Sequence, residues 1–148
     1  MTWQEQREDN PMHNLPHVYV TPVDHKQIKR VLSIAYNERQ RTAAFLASEM
    51  RRAVVCEPLP KHVVKPGSLV RYQLNWGPFS PVRELVYPNY FSDPATQISL
   101  LSEIGVALLG LRRGDAMQVF VPGEGFQTLH VATVVDPEAE LGEYASCQ

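Results

Sequence analysis

Apolar residues recur at helical spacing in two neighbouring stretches near the start of the chain. In the first stretch they stand at i, i+3, i+4 and i+7 and are Ile28, Val31, Leu32 and Ala35. Thr21 precedes this stretch as an N-cap, with Pro22 at the first helical position and Asp24 placed to reach back. In the second stretch the apolar residues are Ala43, Leu46, Met50, Ala53 and Val54. Asn37 and Gln40 offer a capping box for this second helix. Because the joining turn is short, we expect the two helices to form an antiparallel hairpin.

Beyond the hairpin, helical spacing gives way to alternation of apolar and polar residues. Two prolines in the segment Glu57–Lys61 predict the boundary between the two patterns. Alternation then predicts strands over residues 68–75, 82–87, 98–100, 116–121 and 126–135. We expect these strands to form an antiparallel sheet of four or five strands around one helix, an α+β arrangement. The segment 18–20 fits either a very short strand or an extended lead-in.

The helix expected inside this sheet lies in the stretch 98–115. Ser102 is its predicted N-cap, and Glu103 falls in the first turn, where the helix dipole favours a negative charge. The apolar positions that follow at helical spacing are Ile104, Ala107, Leu108 and Leu111. On the residues alone, this stretch predicts a core helix packed against the sheet.

These patterns divide the chain into four parts. We expect a mobile polar tail over residues 1–17, the helical hairpin over 18–57, the sheet domain over 58–136 and a loosely held acidic tail over 137–148. A length of 148 residues is sufficient for one compact unit with a real core.

Composition narrows the class of protein. A net charge of -2 argues against general nucleic-acid affinity. No run of eighteen apolar residues exists, and the N-terminus lacks an apolar signal core, so we expect no membrane association. Cys56 and Cys147 are a single pair rather than a disulfide framework, which favours a reducing, cytoplasmic setting.

The sequence contains few candidate catalytic residues, and none of them has an evident partner nearby in the sequence. The five histidines have no second ligand at metal-site spacing, and His130 in a predicted strand is expected to be a satisfied sheet histidine. Cys56 has no histidine partner nearby in sequence and is expected to be a small, partly buried hydrophobe. Gly123-Glu-Gly125 is too short for a phosphate-binding loop. We therefore expect a protein that is not an enzyme and that uses no metal or other cofactor.

Two motifs carry a family resemblance. Gly105-Val-Ala-Leu-Leu-Gly-Leu-Arg-Arg-Gly-Asp115 resembles the helix motif in the C-terminal domain of the Gre-type transcription factors. Leu85-Val-Tyr-Pro88 sharpens the resemblance toward the Rnk family, the regulators of nucleoside diphosphate kinase. The resemblance runs from about Val18 to Tyr144, and it implies an FKBP-like domain preceded by a short, coiled-coil-like hairpin.

The resemblance also implies a partner. Gre-type factors insert a long helical hairpin into the secondary channel of RNA polymerase, where two acidic residues at its tip help to hold a catalytic magnesium ion. In this chain only Glu38 is acidic in the tip, Ser33–Arg41, and Arg39 and Arg41 stand beside it. One carboxylate holds a hydrated magnesium ion only weakly, so we expect no stimulation of transcript cleavage.

The resemblance further implies that this chain docks on the rim helices beside the secondary channel of the polymerase. The corresponding positions are Leu101, Ser102 and Glu103, followed by Gly105, and only Ser102 keeps the residue type of the Gre factors. On the residues alone, a structural role explains each position as well as an interface role does: core packing for Leu101 and helix-dipole stabilisation for Glu103. Four aromatic residues on predicted loops are either further interface anchors or caps on the core: Trp76, Phe79, Tyr90 and Phe91.

The hairpin is basic, and its cationic residues admit two interpretations. They are Lys29, Arg30, Arg39, Arg41, Arg51 and Arg52. They form either a solvated outer face or a positive surface for an acidic partner.

Three functions are consistent with the basic hairpin, with the resemblance and with the FKBP-like fold that the resemblance implies. The first is a non-catalytic regulator that binds RNA polymerase near the secondary-channel entrance and competes with Gre-type factors. The second is direct binding to nucleoside diphosphate kinase or another acidic partner through the basic hairpin. The third is prolyl isomerisation, which requires an accessible pocket around Trp76, Phe79, Tyr87 and Tyr90.

Overall fold

The computed structural model describes residues 15–35 and 40–138. Its helices in these ranges are α1 (Pro22–Ala35), α2 (Gln40–Arg52) and α3 (Glu103–Leu108), and a short 3-10 helix covers Pro88–Tyr90. Its strands are β1 (Tyr19–Val20), β2 (Val54–Val55), β3 (Leu69–Leu74), β4 (Arg83–Val86), β5 (Gln97–Ser99), β6 (Ala116–Val121) and β7 (Gly125–Val135). The protein is of the mixed α+β class, as predicted.

Five of the strands form one sheet in the order β5-β4-β3-β7-β6. Every neighbouring pair is antiparallel except β4 and β5, which are parallel, with Leu85 opposite Ile98. The prediction of an antiparallel sheet was therefore wrong for β5. A parallel neighbour requires a crossover connection rather than a tight turn, and the segment 87–96 supplies it.

A two-stranded parallel sheet joins the beginning of α1 to the end of α2. In this sheet β1 pairs with β2, with Tyr19 opposite Val54. The prediction that Val54 belongs to the apolar stripe of the second helix was wrong, because the helix ends at Arg52 and the Val54 N–H donates to the carbonyl of Val18 instead. Within the segment 18–20, Tyr19–Val20 is thus a strand rather than a simple lead-in.

The predicted start of the first helix is confirmed in its hydrogen bonds. Thr21 Oγ1 accepts from the Asp24 N–H at 3.1 Å, and its hydroxyl donates to Asp24 Oδ2 at the same distance. The capping box proposed for Asn37 and Gln40 involves a residue outside the described ranges.

The apolar core is continuous from the helix pair α1 and α2 to the sheet. Its fully buried members are drawn from both parts and include Ile28, Leu46, Leu85, Leu100, Leu108 and Leu129. The helix pair therefore packs on the sheet. The boundary at residue 57 remains a prediction about domain organisation.

No helix in the part of the chain described here has the length and apolar character needed to cross a membrane.

Candidate functional site

The start of α3 is built by two short polar contacts. The Ser102 hydroxyl accepts a hydrogen bond from the Gly105 N–H at 3.0 Å and donates one to the carbonyl oxygen of Ser99 at 2.7 Å. A Cβ atom at position 105 would lie only 2.0 Å from that carbonyl, so glycine is required there. The predicted N-cap at Ser102 is confirmed, and Gly105 permits the sharp turn between β5 and α3.

The residues on either side of Ser102 have different environments. Leu101 is buried in the core with 3% of its surface exposed. Glu103 accepts a hydrogen bond from Arg41 Nη2 at 2.5 Å, and the Arg41 guanidinium also lies 4.1 Å from the ring centroid of Phe120. Arg41 thus reaches from the first turn of α2 to the first turn of α3. Leu101 has the core role that the residues alone suggested, whereas Glu103 forms an ion pair in addition to its place in the first turn.

A groove of about 890 Å³ opens beside the start of α3. Helix α1 contributes Arg30, Val31 and Ile34 to it. The sheet and the segment after β4 contribute Tyr72, Arg83 and Phe91. Leu101, Ser102 and Ile104 line it where α3 begins. The groove therefore brings together residues from all three predicted sets: the docking positions, the loop aromatics and the basic hairpin.

Arg83 is held in place within this groove. Its Nη2 donates to the Tyr72 hydroxyl at 2.7 Å, and its guanidinium lies 5.7 Å from the centroid of the same ring. Its Nε is buried and has no hydrogen-bond partner in the described ranges. Sequence reasoning missed Arg83, because strand alternation does not reveal that a charged residue at position 83 meets a tyrosine on the neighbouring strand.

The four loop aromatics do not form one surface. Trp76 and Phe79 follow β3, whereas Tyr90 and Phe91 follow β4, and these segments lie at opposite ends of the sheet because the two strands are antiparallel. Trp76 and Tyr90 are 73% and 69% exposed, and Phe79 is also exposed, so these three do not cap the core. Phe91 lines the groove.

Trp76 covers His130. Their rings stack with centroids 3.8 Å apart. His130 lies in β7, as expected, but its Nε2 is buried with no hydrogen-bond partner in the described part of the chain. The interpretation of His130 as a satisfied sheet histidine was therefore wrong for this nitrogen.

Some basic residues of the helix pair are exposed to solvent, and others form ion pairs or hydrogen bonds within the protein. Lys29, Arg30 and Arg51 are exposed to solvent. Arg52 donates to Glu49 Oε2 at 2.6 Å and to the Pro16 carbonyl at 2.7 Å. Arg41 is paired with Glu103, and Arg39 lies outside the described residues. The basic face over all six residues stays a prediction.

Tyr87 links the helix pair to the sheet rather than lining a pocket with the loop aromatics. Its hydroxyl donates to Asp24 Oδ1 at 2.8 Å. Burial and this hydrogen bond raise the pKa of Tyr87 well above its usual range. Of the four residues that a prolyl isomerase pocket would need, none lines the groove beside α3.

Cys56 is half-buried, as expected, and is a free thiol. Within residues 15–35 and 40–138, no group of three or more His, Cys, Asp or Glu side chains is arranged to hold a metal ion. Asp136, the last residue of the predicted sheet domain, forms an ion pair with Lys65 at 3.0 Å. Residues 139–148 of the predicted acidic tail lie outside the described residues.

Comparison with known proteins shows the family. No family model matches the chain. The Regulator of nucleoside diphosphate kinase of Escherichia coli strain K12 is 33% identical over 132 residues, which covers 87% of this chain and 96% of that protein. The protein of the same name from Shigella flexneri matches equally well. The chain belongs to the Rnk family. The resemblance carried by the motifs at 85–88 and 105–115 is thereby confirmed.

The fold agrees with this assignment. The transcription elongation factor GreA/GreB from Nitrosomonas europaea superimposes on this Rnk-family chain with a TM-score of 0.65 and 27% identity. The superposition covers 80% of this chain and 98% of the other. This Rnk-family member is therefore a regulatory factor related to the transcription elongation factors.

Proposed function

We propose that this protein is a non-catalytic regulator that docks on RNA polymerase near the entrance of the secondary channel. It docks through its sheet domain, for which we propose an FKBP-like fold, and thereby competes with Gre-type factors and modulates transcription. The observation that carries the proposal is the similarity in fold and sequence to a GreA/GreB elongation factor over nearly the whole length of that factor.

The geometry at the start of α3 supports this docking surface. The Ser102 cap and Gly105 hold the turn rigidly, so the side chains around it are preorganised. Glu103 is paired to Arg41; the Arg41 side chain is 60% exposed and the Glu103 side chain 24%. Because solvent-accessible ion pairs are weak, a cation of the partner can replace Arg41 at little cost. Arg41 therefore holds the Glu103 carboxylate in position and can still be replaced by a cation of the partner.

The absence of transcript cleavage is part of the same proposal. A magnesium ion needs more than one carboxylate, and Glu38 is the sole acidic residue in the segment 33–41. We expect purified polymerase in a backtracked complex to show no added cleavage with this protein. Stimulated cleavage would contradict this part of the proposal.

Competitive binding to purified RNA polymerase tests the docking surface. Wild-type protein should bind and should be displaced by an excess of a Gre-type factor. Glu103→Lys should bind about ten-fold or more weakly, because a desolvated charge contact is worth about 1.5–3 kcal/mol. Glu124→Lys is the matched control, since it makes the same charge change in the exposed turn between β6 and β7.

Two results would contradict the docking proposal: no binding by the wild type, or equal binding by Glu103→Lys and Glu124→Lys. Thermal melts of each variant establish that it is folded. Leu101→Ala is unsuitable for this purpose, because truncating a buried leucine costs about 2–5 kcal/mol of stability.

The second candidate, direct binding to nucleoside diphosphate kinase or another acidic protein, is favoured by one observation. Lys29, Arg30 and Arg51 are exposed and have no carboxylate partner among the described residues. If this candidate is correct, Arg51→Glu should abolish binding to the kinase and leave polymerase binding unchanged.

A further inference from the structure

We propose that the groove between α1 and the sheet binds an amphipathic organic anion, meaning an apolar body that carries one carboxylate or phosphate group. The inference does not depend on docking to polymerase, since it concerns the isolated protein.

The charge of the groove selects the sign of the ligand. Within the described part of the chain, the charged residues that line it are Arg30 from α1 and Arg83 from β4, and no aspartate or glutamate lines it. Neither arginine has a carboxylate partner among the described residues. Two unpaired cations in one groove favour an anion, and a guanidinium offers the planar, forked donors that fit a carboxylate or a phosphate.

Arg83 is the better organised of the two. The hydrogen bond to the Tyr72 hydroxyl and the contact with its ring orient the guanidinium before any ligand arrives. Of its five N–H donors, one on Nη2 serves the Tyr72 hydroxyl, and one on Nη1 reaches the Pro94 carbonyl oxygen at 3.5 Å. The buried Nε has no partner among the described residues. An arginine that is already oriented loses little side-chain entropy on binding, and it therefore gives a stronger anion contact than a mobile surface arginine.

The remaining lining selects an apolar body. Ile34 is 82% exposed although it lies on the groove side of α1, and the ring of Phe91 is accessible from the other side. Exposed apolar side chains that converge on one groove are typical of a binding site rather than of a solvated face. A volume of about 890 Å³ falls within the usual range of roughly 300–1,000 Å³ for small-molecule sites.

Binding of the dye 8-anilinonaphthalene-1-sulfonate, an aromatic anion, tests the inference. The folded wild-type protein should bind the dye saturably, with enhanced fluorescence. Arg83→Met, which keeps the apolar stem and removes the charge, should weaken binding about ten-fold or more, as expected for a lost charge-assisted contact. Arg51→Met is the matched control, because Arg51 is exposed on α2 and does not line the groove.

A second variant keeps the test valid if Arg83→Met fails to fold. Ile34→Asp changes an exposed side chain, so it should fold like the wild type, and the new carboxylate in the groove should repel the dye. Thermal melts separate loss of binding from loss of structure. Equal dye binding by the wild type and Ile34→Asp, or an equal loss with Arg51→Met, would overturn the proposal.

Competition then distinguishes the two sources of such an anion. Displacement of the dye by decanoate identifies an aliphatic carboxylate, and displacement by decyl phosphate identifies an aliphatic phosphate. Failure of both compounds to displace the dye would overturn the proposal.

Discussion

Among the described residues, two side-chain hydrogen bonds join the helix pair to the sheet domain, and they differ in burial and in charge. Tyr87 donates a hydrogen bond to Asp24 near the start of α1, and the tyrosine packs against the core. Arg41 forms an ion pair with Glu103 at the start of α2, and the arginine is mostly exposed. Both contacts span more than sixty residues of sequence, with separations of 63 and 62.

The difference shows which contact holds the fold and which can be exchanged. A hydrogen bond to a charged group contributes about 1.5–3 kcal/mol, whereas a surface ion pair contributes about 0–1 kcal/mol. The Tyr87 contact therefore fixes the helix pair on the sheet. The Arg41 contact positions Glu103 but is separable, which is the property a docking surface needs.

The largest effect on stability should come from a substitution at Gly110, where β1 and Val18 before it pack closely against the backbone that follows α3. The Tyr19 N–H donates to the Gly110 carbonyl at 3.0 Å, and Gly110 has a φ of 80°. A Cβ atom there would lie 2.4 Å from Val18 Cγ1. Gly110→Ala should cost about 3 kcal/mol or more in the free energy of unfolding, measured by chemical denaturation, because the overlap with Val18 adds to the backbone strain.

The control for this change is Gly123→Ala. Gly123 has a similar φ of 84°, but a Cβ atom there would contact nothing within 4 Å. Its cost should be about 1–2 kcal/mol, from backbone strain alone. Equal destabilisation of the two variants would contradict this prediction, because it would show that the close approach of Val18 to Gly110 adds nothing to the backbone strain.

The next largest effect should come from Tyr87→Phe. This change removes the hydroxyl that donates to Asp24 while keeping the packed ring, so the free energy of unfolding should fall by about 1.5–3 kcal/mol. Tyr90→Phe is the matched control, because Tyr90 is exposed and should tolerate the change without loss. Equal stabilities of the two variants would show that the Tyr87–Asp24 contact contributes nothing.

The pH dependence of the same pair provides an independent measurement. Because the pKa of Tyr87 is raised in the folded protein, the folded state binds this proton more tightly than the unfolded state does. The contribution of Tyr87 is therefore complete below the unfolded pKa of about 10 and is lost as pH rises above it. Wild-type stability should decline more steeply above about pH 10 than that of Tyr87→Phe.

The smallest effect should come from the exposed contact. Arg41→Gln and Glu103→Gln should each lower the free energy of unfolding by about 1 kcal/mol or less, and the loss should shrink at high salt. A double-mutant cycle with both changes measures the pair directly. A coupling well above about 1 kcal/mol would show that Glu103 is not readily released to a partner.

Local chemistry made part of this fold predictable. The caps at Thr21 and Ser102 depend on side chains only three residues from the groups they bind, so the sequence pattern contains them. Alternation likewise predicted β6 with its observed bounds. The direction of β5 was not predictable, because alternation identifies a strand but not the neighbour with which it pairs.

The site was less predictable than the fold for the same physical reason. The docking positions around Ser102 are contiguous in sequence, and the family motif indicated them. The contacts of Glu103 with Arg41 and of Arg83 with Tyr72 join different elements, so they depend on how those elements pack. The groove exists only once α1 lies on the sheet, and no single stretch of sequence contains it.

Hydrogen–deuterium exchange of this protein, alone and bound to RNA polymerase, tests the central claim most directly. We predict that added protection in the complex is strongest over residues 99–106, around the Ser102 cap. Protection confined to the loop 75–80 or to α2, with no change over residues 99–106, would contradict docking through the start of α3.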